Sequence, residues 1–298
     1  MIMPQCLRIR HSTVYRYRRP VTFGEHRAMF RPRDSHDLRV LDARLVLSPP
    51  GEVRWIHDVF SNSIALITFD QAADELRFDS LIEIEHYGLS GPEMMLREYA
   101  ASYPFRYDND QVTDLLPTLQ CHYPDPEGAI GAWARQFLDR GESTNTEELL
   151  IRITRAIKER FVYRERVIHG TQTPTETLAL GSGTCRDFAL FMIEAVRSLG
   201  LAARFVTGYL YDPALDGAGP ALEGAGAPHA WVQVFLPGAG WIELDPTNGL
   251  IGGTNLIRVG VARDPRQAIP LQGSYHGAAA DFIDMTVEVR VTKAGDGR

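Results

Sequence analysis

Cysteine is scarce in this chain, with three in 298 residues: Cys6, Cys121 and Cys185. An odd, sparse set is not a disulfide framework, and no pair stands at a C-x-x-C metal spacing. No run of about 18 apolar residues occurs, so no segment reads as a transmembrane helix. The opening MIMPQCLRIRHSTVYRYRR lacks the apolar stretch of a signal peptide. No acidic loop has the calcium-binding EF-hand pattern, and no internal repeat is visible. Positive charge is also short: the net charge is -7, which argues against nucleic acid or an anionic membrane as partner. These absences lead us to expect a cytoplasmic protein with free thiols, without cofactor or metal.

Apolar residues make up 44% and charged residues 23%, ordinary globular usage that supports a sizeable core. The length favours about two domains. Up to about Tyr87 the chain reads as β. LRIRHSTVYRYRRPV, LRVLDARLVLSPPG and ELRFDSLIEIEHYG alternate apolar with polar, and VRWIHDVFSNSIALITFD reads as two strands around a Ser-Asn-Ser turn. The arginines crowded between Arg8 and Arg33 alternate with apolar residues, as on a solvated sheet face. The fold class expected is α+β: an antiparallel β-sandwich-like domain over residues 1–88, then a core over 89–298 in which a cysteine-bearing helix packs on an antiparallel sheet.

Residues 88–126 are mixed and proline-rich, and read as a connection. EGAIGAWARQFLDRG and NTEELLIRITRAIKERFVY read as helices, the second with acids in its first turn and bases in its last. A loop, a buried-type helix from Cys185 to Leu199 and the strand ARFVTGYLY follow. The Gly/Ala-rich segment Asp212 to Pro228 reads as a lid or a passive linker, and HAWVQVFL with GWIELDPT as a hairpin. IRVGVARD and DMTVEVRVT add two strands, counted with the core.

The chemistry begins at Gly181-Ser-Gly-Thr-Cys-Arg-Asp-Phe-Ala. Glycines loosen the backbone before an amphipathic run, Thr184 suits the N-cap, and Asp187 can reach back in a variant of the capping box. Cys185 then takes the first helical position, where unpaired N–H groups and the positive end of the dipole favour a thiolate, and Arg186 adds positive charge. The same N–H groups suit an oxyanion. A lone cysteine is more often a small buried hydrophobe, but its place after a glycine loop sets Cys185 apart; Cys6 and Cys121 have no such setting and read as structural.

A thiolate mechanism needs a base. Along the strand that His229 opens, alternation puts His229, Trp231, Gln233 and Phe235 on one face. On the next strand Trp241, Glu243 and Asp245 share a face. One hairpin register sets His229 opposite Asp245; the other sets it opposite Thr247, a diagonal step from Asp245. Both bring imidazole and carboxylate within reach. Alone, His229 would be an ordinary core or surface histidine and Asp245 a turn residue before Pro246. Together with a primed cysteine upstream they read as a triad.

G-S-G-T-C-R-D-F-A, R-F-V-T-G-Y-L, H-A-W-V-Q-V and W-I-E-L-D-P-T resemble the core of transglutaminase-like proteins, a set that includes transglutaminases, bacterial cysteine-protease-like proteins and, more distantly, papain-like enzymes. H-x-x-x-Y-x-Y, R-x-x-F-R-P-R and H-D-V-F-S-N-S are similar to the β domain that precedes this core in the bacterial branch, with Ser61 where a glycine is usual. V-G-V-A-R-D and P-L-Q-G-S-Y-H-G resemble its tail. The resemblance implies a papain-like core, with Cys185 as nucleophile, His229 as base and acid, and Asp245 as orienting acid. It also implies an oxyanion donor, for which Tyr163 and Trp231 are candidates; Asp187 can help shape the site.

The reaction implied is acyl transfer from a peptide or protein amide through a Cys185 thioester, hydrolytic when water accepts the acyl group. The alternatives are a protein-glutamine transglutaminase, a non-catalytic peptide-binding or assembly module, and acyl transfer from a thioester cofactor. Neither the substrate's identity nor the oligomeric state can be read from the sequence.

Overall fold

The computed structural model describes residues 4–88, 94–141, 143–164, 170–216 and 221–294. Six strands, β1 (Gln5–Phe23), β2 (His26–Ala28), β3 (Leu38–Ser48), β4 (Glu52–His57), β5 (Ser63–Thr68) and β6 (Ala73–His86), form the N-terminal part. Their alternation becomes one-sided burial. Leu76, Phe78, Ile82 and Ile84 of β6 point inward while Arg77, Asp79 and Glu83 lie toward solvent. β1 pairs antiparallel with β6, and β6 with β3. A second sheet, built from β2, β5 and β4, faces the first. Phe23, Phe30, Ile67, Leu76 and Phe78 fill the space between them. The solvated face expected of the arginines is present: Arg8 meets Glu83 at 2.7 Å and Arg19 meets Asp281 at 2.9 Å.

The β4–β5 turn joins the sandwich to the core. Asp58 Oδ1 accepts from the N–H groups of Phe60 and Asn62, both at 2.9 Å. Ser61 takes the left-handed conformation, φ 61°, where glycine has the advantage. Asn62 then clasps the backbone of Val261, donating to its carbonyl at 2.7 Å and accepting from its N–H at 2.9 Å. His11 and Tyr209 (2.9 Å) and Arg258 with Asp37 (3.2 Å) tie the same two parts together.

Among the described residues five α-helices follow: α1 (Asn109–Leu119), α2 (Ala129–Arg135), α3 (Thr146–Arg160), α4 (Pro174–Leu180) and α5 (Cys185–Ser198). α1 and α4 fall where the sequence reads as connection and loop. The core sheet runs in the order 250–251, β9 (Gly240–Asp245), β8 (His229–Leu236), β7 (Ala203–Leu210), β10 (Leu256–Ala262), all antiparallel. α5 lies on the sheet face that carries Ala230, Val232, Val234 and Leu236, burying Phe188, Phe191, Met192 and Ile193. Each such side chain stabilises by about 1.5–3 kcal/mol. Near its C-terminal end Arg197 and Glu194 form a buried ion pair at 2.8 Å. Arg197 also donates to the carbonyls of Thr118, Ala203 and Arg263.

The tail departs from the sequence reading. Of its two expected strands, β10 joins the core sheet, but β11 (Phe282–Lys293) pairs antiparallel with β1 from Leu7↔Lys293 to Tyr17↔Phe282. The C-terminal strand therefore completes the N-terminal sheet. Its inward Val289 and Val291 find apolar cover there, and β1 would otherwise present an open edge.

Candidate active site

α4 ends at Gly181 in the left-handed conformation, φ 56°, which reverses the chain toward residues 182–183. Those residues pair in parallel with Val162–Tyr163. Thr184 is extended, and α5 begins at Cys185, the first helical position. Asp187 reaches back as expected: its Oδ2 accepts from the Thr184 N–H at 2.8 Å and hydroxyl at 3.0 Å. Its Oδ1 accepts from the Gln172 N–H at 2.7 Å. One buried carboxylate thus fixes the cysteine loop to the segment before α4. The Gln172 side chain lies against that loop, close enough that a Cβ on Gly183 would come within 3.1 Å of its Oε1. The first-turn N–H groups of α5 have no acceptor within the helix.

The β8–β9 hairpin adopts the diagonal register. Gln233 faces Glu243, Phe235 faces Trp241 and Leu236 faces Gly240. His229 Nε2 and Asp245 Oδ2 are 2.9 Å apart, and both side chains are fully buried. Asp245 is held further by the N–H groups of Thr247 (2.8 Å) and Asn248 (3.3 Å) on Oδ1, and by Asn248 Nδ2 (2.9 Å) on Oδ2. Burial opposes charge on both groups, but the mutual attraction outweighs it. His229 is pushed up to about 10, first by the Asp245 carboxylate and then by the nearby Cys185 side chain. Asp245 is held below the ordinary carboxylate range by His229, Asn248 and Thr247. Nδ1 of His229 is buried without a hydrogen-bond partner. With Nε2 given to Asp245, Nδ1 is the nitrogen left for the thiol.

The site is closed. Cys185 is 7% exposed, His229 1% and Asp245 0%. Part of the Gly/Ala-rich segment, residues 221–228, covers it as a strap, while 217–220 lie outside the described residues. Gly224, φ +82°, stands so near the imidazole that a Cβ there would come within 2.8 Å of Nδ1. Asn248 fastens the strap: its Oδ1 accepts from the Glu223 N–H at 2.9 Å and its Nδ2 donates to the Glu223 carbonyl at 3.1 Å. Val289 N–H donates to the Gly226 carbonyl at 2.8 Å. Neither Asn248 nor Gly224 stands out in sequence, though Asp-x-x-Asn after a strand is a turn pattern that could have marked Asn248.

The other candidates separate. Tyr163 sits beside Gly183 in the short parallel pair, with its ring edge-on to Phe188 at 6.5 Å. Trp231 is corrected: it is fully buried, and its Nε1–H is donated to Glu243, leaving no donor for an oxyanion. It shares a face with His229 as read, the two rings stacked at 6.0 Å. Arg186 turns away from the thiol and donates to the carbonyls of Pro265 (2.7 Å) and Ala268 (3.3 Å). Among the described residues no group of three or more His, Cys, Asp or Glu could hold a metal ion. A cavity of about 910 Å³ is lined by none of Cys185, His229 or Asp245; the chemistry assigns the site, not the hollow.

Two family profiles match the chain: the bacterial transglutaminase-like N-terminal region at residues 7–85 and the transglutaminase-like superfamily at residues 132–246. The second span contains Cys185, His229 and Asp245. Uncharacterised proteins of Mycobacterium bovis and Mycobacterium tuberculosis are 30% identical over 295 residues, covering 95% of this chain and 91% of theirs. The crystal structure of a provisionally assigned cysteine protease from Cytophaga hutchinsonii superimposes with a TM-score of 0.71 at 17% identity, covering 98% of this chain and 92% of that one. That likeness is one of fold.

Proposed function

The chain belongs to the transglutaminase-like superfamily, and from that premise we propose that it hydrolyses amide bonds of peptides or proteins through a thioester on Cys185. The observation that carries this reading is the division of labour on one imidazole. Nε2 of His229 is committed to Asp245, while Nδ1 of the same ring is left buried without a partner, with Cys185 near enough to act on its charge. That is the arrangement a nucleophile, base and orienting acid require.

In the first half-reaction Cys185 reacts as the thiolate of an ion pair whose proton already sits on His229, and its sulfur attacks the carbonyl carbon. The first-turn N–H groups of α5 stabilise the oxyanion. The C–N bond breaks as His229 returns the proton to the leaving amine, and the acyl group stays on sulfur. Water then attacks the thioester, His229 accepts its proton, and the acid leaves as the proton returns to sulfur. Asp245 stays ionised throughout and stabilises the imidazolium. The strap over Cys185 and His229 must lift for substrate to enter.

The test uses a library of acyl-peptide anilides with the full chain, reading released amine and the intact mass of the protein. The proposal expects amine release, an acyl adduct that maps to Cys185, and loss of both in Cys185→Ala. Added primary amine separates the fates of the adduct: free acid as the main product supports hydrolysis, and quantitative conversion to the amide makes the chain a transglutaminase. Absence of any adduct across the library would favour a binding module.

A further inference from the structure

The cavity of about 910 Å³ lies between the N-terminal sandwich and the face of the core sheet opposite α5. Its size is that of small-molecule sites, roughly 300–1,000 Å³. Asp37, His86, Arg204, Gln233, Trp241 and Arg258 line it. We propose that it is a second binding site, for a small carboxylate that also carries O–H or N–H donors.

Arg204 supplies the first half of the argument. Its guanidinium lies over the Trp241 ring, 4.0 Å from the centroid, and its Nε donates to Gln233 Oε1 at 2.7 Å. Its two terminal nitrogens have no hydrogen-bond or ion-pair partner among the described residues. The neighbouring carboxylates are already spent. Glu243 takes Arg258 at 2.6 Å, Gln233 at 2.7 Å and the Trp231 N–H. Asp37 takes Arg258 and the Ser35 hydroxyl. Burial lowers Arg204 to about 9; Glu243 opposes the fall, and Arg258 and Arg33 add to it. A guanidinium desolvated among other cations, with its fork open to a cavity, is set up for a carboxylate.

His86 supplies the second half. It is 5% exposed, and its Nε2 lies 3.2 Å from the Leu256 carbonyl, so Nε2 carries the proton. Burial favours the neutral ring. Nδ1 is then a lone-pair acceptor, and it is buried with no partner. His86, Arg204 and Arg258 line the same cavity, and both His86 and Arg204 feel the charge of Arg258. The wall thus offers a cation without an anion, and the His86 ring behind it holds an acceptor without a donor. A sugar acid or the C-terminal end of a short peptide carries both complements. The proposal does not depend on any reaction at Cys185.

The test is calorimetric titration of the full chain with glucuronate and with N-acetyl-alanyl-alanine. Each is compared with its uncharged counterpart, glucose or N-acetyl-alanyl-alaninamide. Saturable one-to-one binding of either acid is expected, about tenfold or more weaker for the neutral partner and in Arg204→Gln. Which acid binds identifies the source of the carboxylate. Gly253→Leu is a second variant that removes no charge. A Cβ there meets only Glu243, at 3.6 Å, and the larger side chain fills the hollow; it should abolish binding while Cys185 keeps its alkylation rate. No saturable binding of either acid, equal binding of a neutral counterpart, or undiminished binding in Gly253→Leu would overturn the proposal.

Discussion

Asn248 and Asp245 are joined by a 2.9 Å hydrogen bond, and the same Asn248 amide grips the Glu223 backbone through both its N–H and its carbonyl. One side chain therefore sets the orienting carboxylate and latches the strap over the imidazole. Asn248→Ala removes the two strap bonds, each worth about 1 kcal/mol. The open state should gain roughly tenfold or more in population. Modification of Cys185 by a bulky disulfide reagent should speed up accordingly, more than modification by iodoacetamide. An unchanged ratio of the two rates would mean that the strap is held elsewhere.

The His229–Asp245 pair makes a signed contribution to stability against pH. His229 is raised in the folded state to about 10, from about 6.5 unfolded. Its contribution is therefore fully present below about 6.5 and is lost as pH climbs toward 10. Asp245 is depressed, so its contribution holds above about 3.9 and is lost as pH falls through its folded value. Between those limits the pair stabilises fully. Thermal unfolding from pH 6 to 10 should show a steeper loss of Tm in the wild type than in His229→Gln. Parallel curves would mean that the folded histidine is not held protonated.

Arg197 and Glu194 sit almost wholly inside, 2.8 Å apart, and between them hold the backbone at Thr118, His122, Tyr123, Ala203 and Arg263. Removing one partner leaves a buried charge and several stranded carbonyls. Arg197→Met should cost about 3–5 kcal/mol in denaturant unfolding. A cost under about 1 kcal/mol would show that water replaces the guanidinium.

The two halves of the molecule were not equally legible in the sequence. The sandwich could be read because its strands bury one face each, which turns alternation into a direct record of inside and outside. The pairing of His229 with Asp245 could be read because both hairpin registers keep them on one face. α1 was hidden by prolines, one of which, Pro117, stands inside the helix in its last turn, where it withholds one helical N–H. The partner of β11 was hidden by distance, since nothing in DMTVEVRVT distinguishes the edge of the core sheet from that of β1. Trp231, a candidate oxyanion donor in the sequence, has its N–H taken by Glu243 on the neighbouring strand, a pairing its own strand does not reveal. The strap's grip on Asn248 depends on tertiary placement alone.

Ser61 was legible as a departure from the usual glycine, and its φ of 61° supplies the reason a glycine is usual. Ser61→Gly relieves a left-handed strain of about 1–2 kcal/mol and gives back about 0.5–1 kcal/mol in unfolded-state entropy. A net gain below about 1 kcal/mol, seen as a small rise in Tm, is expected. A fall would mean that the serine side chain holds the turn.

The central claim is that Cys185 is activated by His229, and the alkylation rates of the three cysteines test it most directly. Cys6 and Cys121 are exposed and Cys185 is buried. Exposure alone therefore ranks Cys185 last with iodoacetamide near neutral pH. The account predicts the reverse order by peptide mapping, with Cys185 falling behind the other two in His229→Ala. If Cys185 reacts last in the wild type, or equally fast without His229, the nucleophile assignment is contradicted.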